Sequence, residues 1–153
     1  MKSVVSLLLC FVMIFTMSAC SAVKEKFVLE ESCNTVTFLL DEMNIEGELN
    51  YKSRDDITFT LTQPEFLRDI SFSKNEISTD DMKIGFLGPK EESPVHMLLS
   101  IVSDISEREI LLPSKGEYVF KGNIPQTDYR IIFDCQKGKI ASIEAGKFSY
   151  IFE

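Results

Sequence analysis

The chain has 153 residues, 44% of them apolar and 26% charged, with 24 acidic against 16 basic side chains and a net charge of −8. That length suits one domain with a core of its own, and the acidic balance argues against nucleic acid and against electrostatic docking on anionic lipid. A single histidine and four cysteines leave few residues for metal or nucleophilic chemistry.

In chain order, the first segment is a basic tip, Met1-Lys2-Ser3, followed by an apolar run from Val4 to Phe15 and then Met17-Ser18-Ala19-Cys20. A charged tip, a short apolar stretch and small residues before a cleavage point make a secretory signal. The run spans about 13 residues, short of the roughly 20 that a bilayer-crossing helix needs. The segment resembles the bacterial lipobox, with Ser18 and Ala19 directly ahead of Cys20 and Met17 standing where Leu is usual. Cys10 is a poorer acceptor, because the bulky pair Leu8 and Leu9 precedes it. The resemblance implies that residues 1–19 are a signal peptide removed on export, and that Cys20 becomes a diacylated first residue. Two acyl chains hold a protein on a membrane where one is marginal. The expected location is therefore the extracytoplasmic face of the cell membrane, with the membrane itself as a partner through Cys20. Without its first 19 residues the chain keeps 134, and loss of Lys2 takes the net charge from −8 to −9. Residues 20–26 read as a tether and 27–153 as a single domain; a tether of six to ten residues reaches at most about 20 to 35 Å.

Past the tether the pattern is strands and turns. Apolar residues alternate with mainly polar ones in Val36-Phe38-Leu40, Ile45-Leu49-Tyr51 and Ile57-Phe59-Leu61, and later in Tyr129-Ile131-Phe133 and Phe148-Tyr150-Phe152. Such alternation predicts an antiparallel sheet with one apolar face. Turn residues sit between these runs at Ser53-Arg54-Asp55, Ser73-Lys74-Asn75, Pro113-Ser114-Lys115-Gly116 and Lys137-Gly138. Pro64 should end the third strand, since it lacks the N–H that a central ladder needs.

One helix interrupts the strands, over Ser93 to Ile105. Ser93 is a suitable N-cap, Pro94 suits the first helical position, and Val95, Leu98, Leu99, Val102 and Ile105 form one stripe. Eight or nine strands make a sheet roughly 40 Å wide, whereas a helix is about 10 to 12 Å across. One helix cannot cover that face, so the sheet is expected to curl around it, leaving either a filled core or an apolar cleft. The candidate lining is Phe38, Leu49, Phe59, Leu61, Ile131 and Phe133 from the strands, with Leu98, Leu99 and Val102 from the helix; the same positions would serve a plain core.

This order of a lipoprotein signal, paired strands, a strand ending in Gln63-Pro64-Glu65-Phe66-Leu67, further hairpins, a short helix and closing hairpins resembles the lipoprotein-carrier superfamily (LolA/LolB-like). More narrowly it is similar to small lipoproteins of Gram-positive gut bacteria built on that half-barrel. The resemblance implies a curled antiparallel sheet with helix packed on its concave side and a cavity for acyl chains. It also admits partner proteins of envelope enzymes, because a fold does not fix a function.

Catalytic motifs are missing from the sequence: no GxSxG, HExxH, phosphate-binding glycine loop or multi-cysteine metal spacing occurs. His96 falls off the apolar stripe and is expected to face solvent. The carboxylate pairs Glu30-Glu31, Asp41-Glu42, Asp55-Asp56, Asp80-Asp81 and Glu91-Glu92 fall at expected turns or strand ends, where solvation explains them. Of the exported cysteines, Cys33 shares a face with Thr35 and Thr37, whereas Cys135 shares one with Ile131 and Phe133. If both strands lie in one sheet the thiols point to opposite sides, which opposes a disulfide. The expectation is a non-enzymatic lipoprotein without cofactor or metal that binds a hydrophobic ligand, such as an acyl chain, in an apolar cleft. The alternative is a protein-interaction module that supports or restrains an envelope enzyme.

Overall fold

The computed structural model of the chain describes residues 24–79, 82–85 and 93–153. The expected signal peptide, Cys20, Asp80-Asp81 and Glu91-Glu92 lie outside these residues. In chain order the elements are β1 (Lys24–Phe27), β2 (Ser32–Leu40), β3 (Met43–Ser53), β4 (Asp56–Gln63), a 3-10 turn (Glu65–Leu67), β5 (Ser71–Phe72), β6 (Glu76–Thr79) and β7 (Met82–Gly85). They continue with α1 (Pro94–Ser106), β8 (Ile110–Pro113), β9 (Glu117–Ile124), β10 (Thr127–Asp134), β11 (Lys139–Ala145) and β12 (Phe148–Phe152).

Ten strands form one antiparallel sheet in the order β7-β6-β5-β4-β3-β2-β12-β11-β10-β9, and β1 pairs separately with β8. Period-two alternation sets which face is apolar: Val36 and Phe38, then Ile45, Leu49 and Tyr51, then Ile57, Phe59 and Leu61 are buried together. Tyr129, Ile131, Phe133, Ile143 and Tyr150 extend the same face across β10, β11 and β12. The pair Asp41-Glu42 is the two-residue loop of the β2–β3 hairpin, with both residues at positive φ (46° and 73°) and Leu40 opposite Met43. β4 stops at Gln63, directly before Pro64.

The fold is mainly β with one short helix, but the strand order is open at both ends and the sheet neither closes nor curls strongly. The half-barrel expected from the strand count is corrected in this respect. The helix is not the whole cover of the apolar face, because the β1–β8 ribbon is a second cover. Phe27 of β1 meets Phe133 edge to face at 4.8 Å, and Ile110 and Leu112 of β8 are buried while Leu111 between them is exposed. Strand pairing begins at Lys24, inside the segment read as tether.

The helix begins as its residues dictate. Ser93 is extended and its side chain accepts from the His96 N–H, and Pro94 opens the first turn. With 13 residues the axis is about 20 Å long, so a helix laid obliquely meets many strands. Near its start, Tyr150 of β12 donates its hydroxyl to the Pro94 carbonyl at 2.7 Å; near its end, Tyr129 of β10 donates to Asp104. The expectation for His96 fails. It is 4% exposed, with its ring edge-on to Phe72 of β5 at 6.2 Å and Nδ1 3.2 Å from Ser93 Oγ. The first helical turn is wrapped on more than one side, so Val95 through Leu99 are all buried and periodicity there ceases to mark an outer face.

Candidate functional site

The nine residues expected to line a cleft separate into two groups. Phe38, Phe59, Leu61, Leu98, Ile131 and Phe133 are sealed in one continuous core and line neither of the two pockets described below. Phe38 lies 6.1 Å from the Phe59 ring and 5.4 Å from that of Tyr150. Gly47 is part of this packing: a Cβ there would stand 2.5 Å from the Phe59 ring, so only hydrogen fits. The remaining three border open space. Leu49 and Val102 line a cleft of about 860 Å³, and Leu99 lines a smaller pocket of about 500 Å³ on another side of the helix.

The large cleft lies between the β1–β8 ribbon, the chain leading into β2, and the turn joining β10 to β11. Its apolar floor includes Leu49, Tyr51, Val102 and Leu112, all buried, with Phe27, Ile140 and Phe152 beside them. Its rim carries Glu30 and Glu31 on one side and Lys137 and Lys139 on the other. β12 borders the cleft at its Phe152 end. It pairs with β2 only at Ile151 opposite Thr37 and Phe152 opposite Val36, followed by one bond from the Glu153 N–H to the Thr35 carbonyl at 3.0 Å. On the other flank the β10–β11 register shifts after Ile132, so that Ala141 is passed over between Ser142 and Ile140 and the start of β11 is displaced.

Cys33 and Cys135 both border this cleft and both are free thiols, Cys33 exposed and Cys135 half-buried. Burial, with the nearby Glu48 carboxylate, pushes the Cys33 thiol above its ordinary range. Burial and Asp134 do the same for Cys135. Both are therefore held as weakly nucleophilic thiols at neutral pH. Sequence reasoning missed Phe27, Leu112 and Phe152 as cleft residues, since their position depends on pairings between distant parts of the chain.

The smaller pocket brings His96, Ser100, Ser103 and Asp104 to one wall, residue types that elsewhere make a nucleophile and its base. The geometry argues otherwise. His96 and Asp104 are eight residues apart on one helix, about 12 Å along its axis. Asp104 is committed to its own neighbours: Arg108 donates twice, Nε at 2.6 Å and an Nη at 3.1 Å, and Tyr129 donates its hydroxyl. Burial pushes the Asp104 carboxyl up, but those hydrogen bonds outweigh it and hold the group below the usual carboxylate range. Burial and the Asp104 charge push the Tyr129 hydroxyl well above its normal value. Gly122 of β9 makes room for that hydroxyl, since a Cβ would stand 2.3 Å from it. The cluster fastens the end of α1 to the sheet.

Among the described residues no group of three or more His, Cys, Asp or Glu stands close enough to hold a metal ion, and no helix is long and apolar enough to cross a membrane. No protein-family model, curated protein or solved structure matches the chain.

Proposed function

We propose that this chain is a non-enzymatic binding module, held at the extracytoplasmic face of the cell membrane by a diacylated Cys20, and that it acts on an envelope protein through the cleft under the β1–β8 ribbon. The observation that carries this reading is the division of the apolar face. Six of the nine expected lining residues are sealed in the core, whereas the ribbon side keeps about 860 Å³ of open volume with a charged rim, against about 500 Å³ in the pocket beside the helix. A polar rim around an apolar floor is the anatomy of a protein-binding patch. Only a short link would join the cleft to such an anchor, because Lys24 opens β1 and three residues of sequence separate it from Cys20. Four residues reach at most about 14 Å, so a partner would meet the cleft near the bilayer surface.

A second reading keeps an acyl chain as ligand, favoured by the apolar floor of Leu49, Val102 and Leu112. Two measurements separate the readings. Intact mass of the membrane fraction should show a chain beginning at Cys20 with a diacyl addition, lost in Cys20→Ser. A photo-crosslinking residue at position 112 should then capture an envelope protein in intact cells, while one at Thr58 on the outer face should not. One-to-one binding of a fluorescent fatty acid, with no cross-link from position 112, would replace the protein reading with the acyl one.

A further inference from the structure

The two edge strands of the main sheet differ. β7 has four residues, whereas β9 has eight, paired with β10 in an unbroken register from Glu117 opposite Asp134 to Ile124 opposite Thr127. Edge strands are ordinarily blunted by shortness, proline or a bulge, and β9 has none of these. The Gly116 carbonyl accepts from the Cys135 N–H, so the even-numbered residues of β9 turn their peptide groups to β10. Glu117, Val119, Lys121 and Asn123 turn theirs to the outer edge, where no strand pairs with them among the described residues. Their side chains are exposed, Val119 by 41%. The charges of β9 are also mismatched within the chain: Glu117 lies opposite Asp134 and Lys121 opposite Arg130, like against like. Asp134 and Arg130 find counter-charges in Lys137 and Glu144. Among the described residues no ion pair uses Glu117 or Lys121.

We propose that the β9 edge joins two copies of this chain by antiparallel β9–β9 pairing centred on Val119. Hydrogen-bonded pairs can form only between residues whose peptide groups face the joint, so odd positions must meet odd positions. Centring on Val119 sets Glu117 of each copy opposite Lys121 of the other and gives every unmatched charge a counter-charge. Centring on Phe120 would leave both charges opposite neutral residues, and centring on Glu117 or Lys121 would oppose two like charges. The chosen register is two-fold symmetric, as an isologous dimer requires, and supplies about six backbone hydrogen bonds. On the inner face it brings Tyr118 of each copy opposite Phe120 of the other, covering rings that are half-buried in one copy. Cross-strand partners share a face, so the rotation that reverses the strand leaves the inner face inner. Both copies then carry helix, ribbon and Lys24 on one side of the joint sheet, which suits two chains anchored in one membrane.

The test uses the full chain in detergent. Sedimentation should show a reversible dimer, and Glu117→Lys or Lys121→Glu alone, each of which opposes like charges twice, should weaken it about tenfold. The double variant Glu117→Lys/Lys121→Glu restores opposite charges and should return the affinity to within about twofold of the parent. In the membrane fraction, oxidation with copper phenanthroline should link Val119→Cys to its own copy, because hydrogen-bonded cross-strand Cα atoms stand about 5.5 Å apart, within disulfide reach. Glu117→Cys should not link to itself at this position but should link to coexpressed Lys121→Cys, with the joined peptides identified by mass. A chain that stays monomeric at its highest soluble concentration overturns the proposal. So does a dimer that both single charge changes leave intact, or one that the double variant does not restore.

Discussion

The two ends of the apolar face are closed by different means. Over β4, β10 and β12 the helix lies against aromatic side chains whose fit is set to the atom: Gly47 yields to Phe59, Gly122 yields to Tyr129, and a tyrosine hydroxyl fastens each end of α1. Under the ribbon the cover is a pair of four-residue strands, and a cleft of about 860 Å³ remains between them and the sheet. The first end is fixed by local complementarity between neighbours. The second is covered by two strands paired across distant parts of the chain, which leave volume between themselves and the sheet. One sheet thus carries both a packed face and an open cleft.

The largest effect should come from breaking the sealed end. Phe59→Ala removes a fully buried ring and should cost about 3 to 5 kcal/mol, through lost transfer energy and the cavity left behind. Urea unfolding should show a lower midpoint at an unchanged slope. Cross-linking from position 112 should be unchanged, since Phe59 does not border the cleft. A parallel loss of binding would mean that the two ends are not separate.

Tyr150→Phe is next in size. It leaves the Pro94 carbonyl without the tyrosine hydroxyl at a buried helix start, and about 1 to 3 kcal/mol is expected. Below it comes an acid effect at the other end of the helix. The Asp104 carboxyl is held below its ordinary value, so its contribution is complete at and above the normal carboxylate range and is lost as pH falls below that range. Asp104→Asn should therefore be less stable than the parent near neutral pH, and its stability should fall less steeply as pH drops through and below the ordinary carboxylate range. Equal steepness in the two proteins would show that Arg108 and Tyr129 do not hold the charge.

Much of the sealed end was legible in the sequence. Val36-Phe38, Ile57-Phe59-Leu61 and Tyr129-Ile131-Phe133 alternate over lengths that leave one reading, and Ser93-Pro94 marks the helix start by residue chemistry alone. The open end was not legible, for physical reasons. Lys24–Phe27 holds one apolar residue in four and Ile110–Pro113 is too short to show a period, so neither reads as a strand by itself. They become strands by pairing with each other across more than 80 residues, as Phe27 does with Ile110. The cleft depends on the β2–β12 register, which no local window contains. His96 failed for a related reason, because helical periodicity tells which residues share a face but not how many faces are covered.

The smallest expected effect tests the open end directly. Cys33 is exposed near the start of β2, so Cys33→Ser should change stability by no more than about 0.5 kcal/mol, the range of surface substitutions without special contacts. Its reactivity should be less ordinary. Burial around the sulfur and the Glu48 charge raise the thiol above its usual value, so alkylation near pH 8 should be slower than for a free thiol despite the exposure, and should speed up as pH rises through and above the ordinary thiol range. Glu48→Gln removes the charge and one acceptor, and should raise the alkylation rate while leaving the unfolding midpoint nearly unchanged. If alkylation of the parent proceeds at the free-thiol rate and Glu48→Gln does not change it, neither burial nor the Glu48 charge holds the Cys33 thiol, and the rim of the open end behaves as ordinary surface.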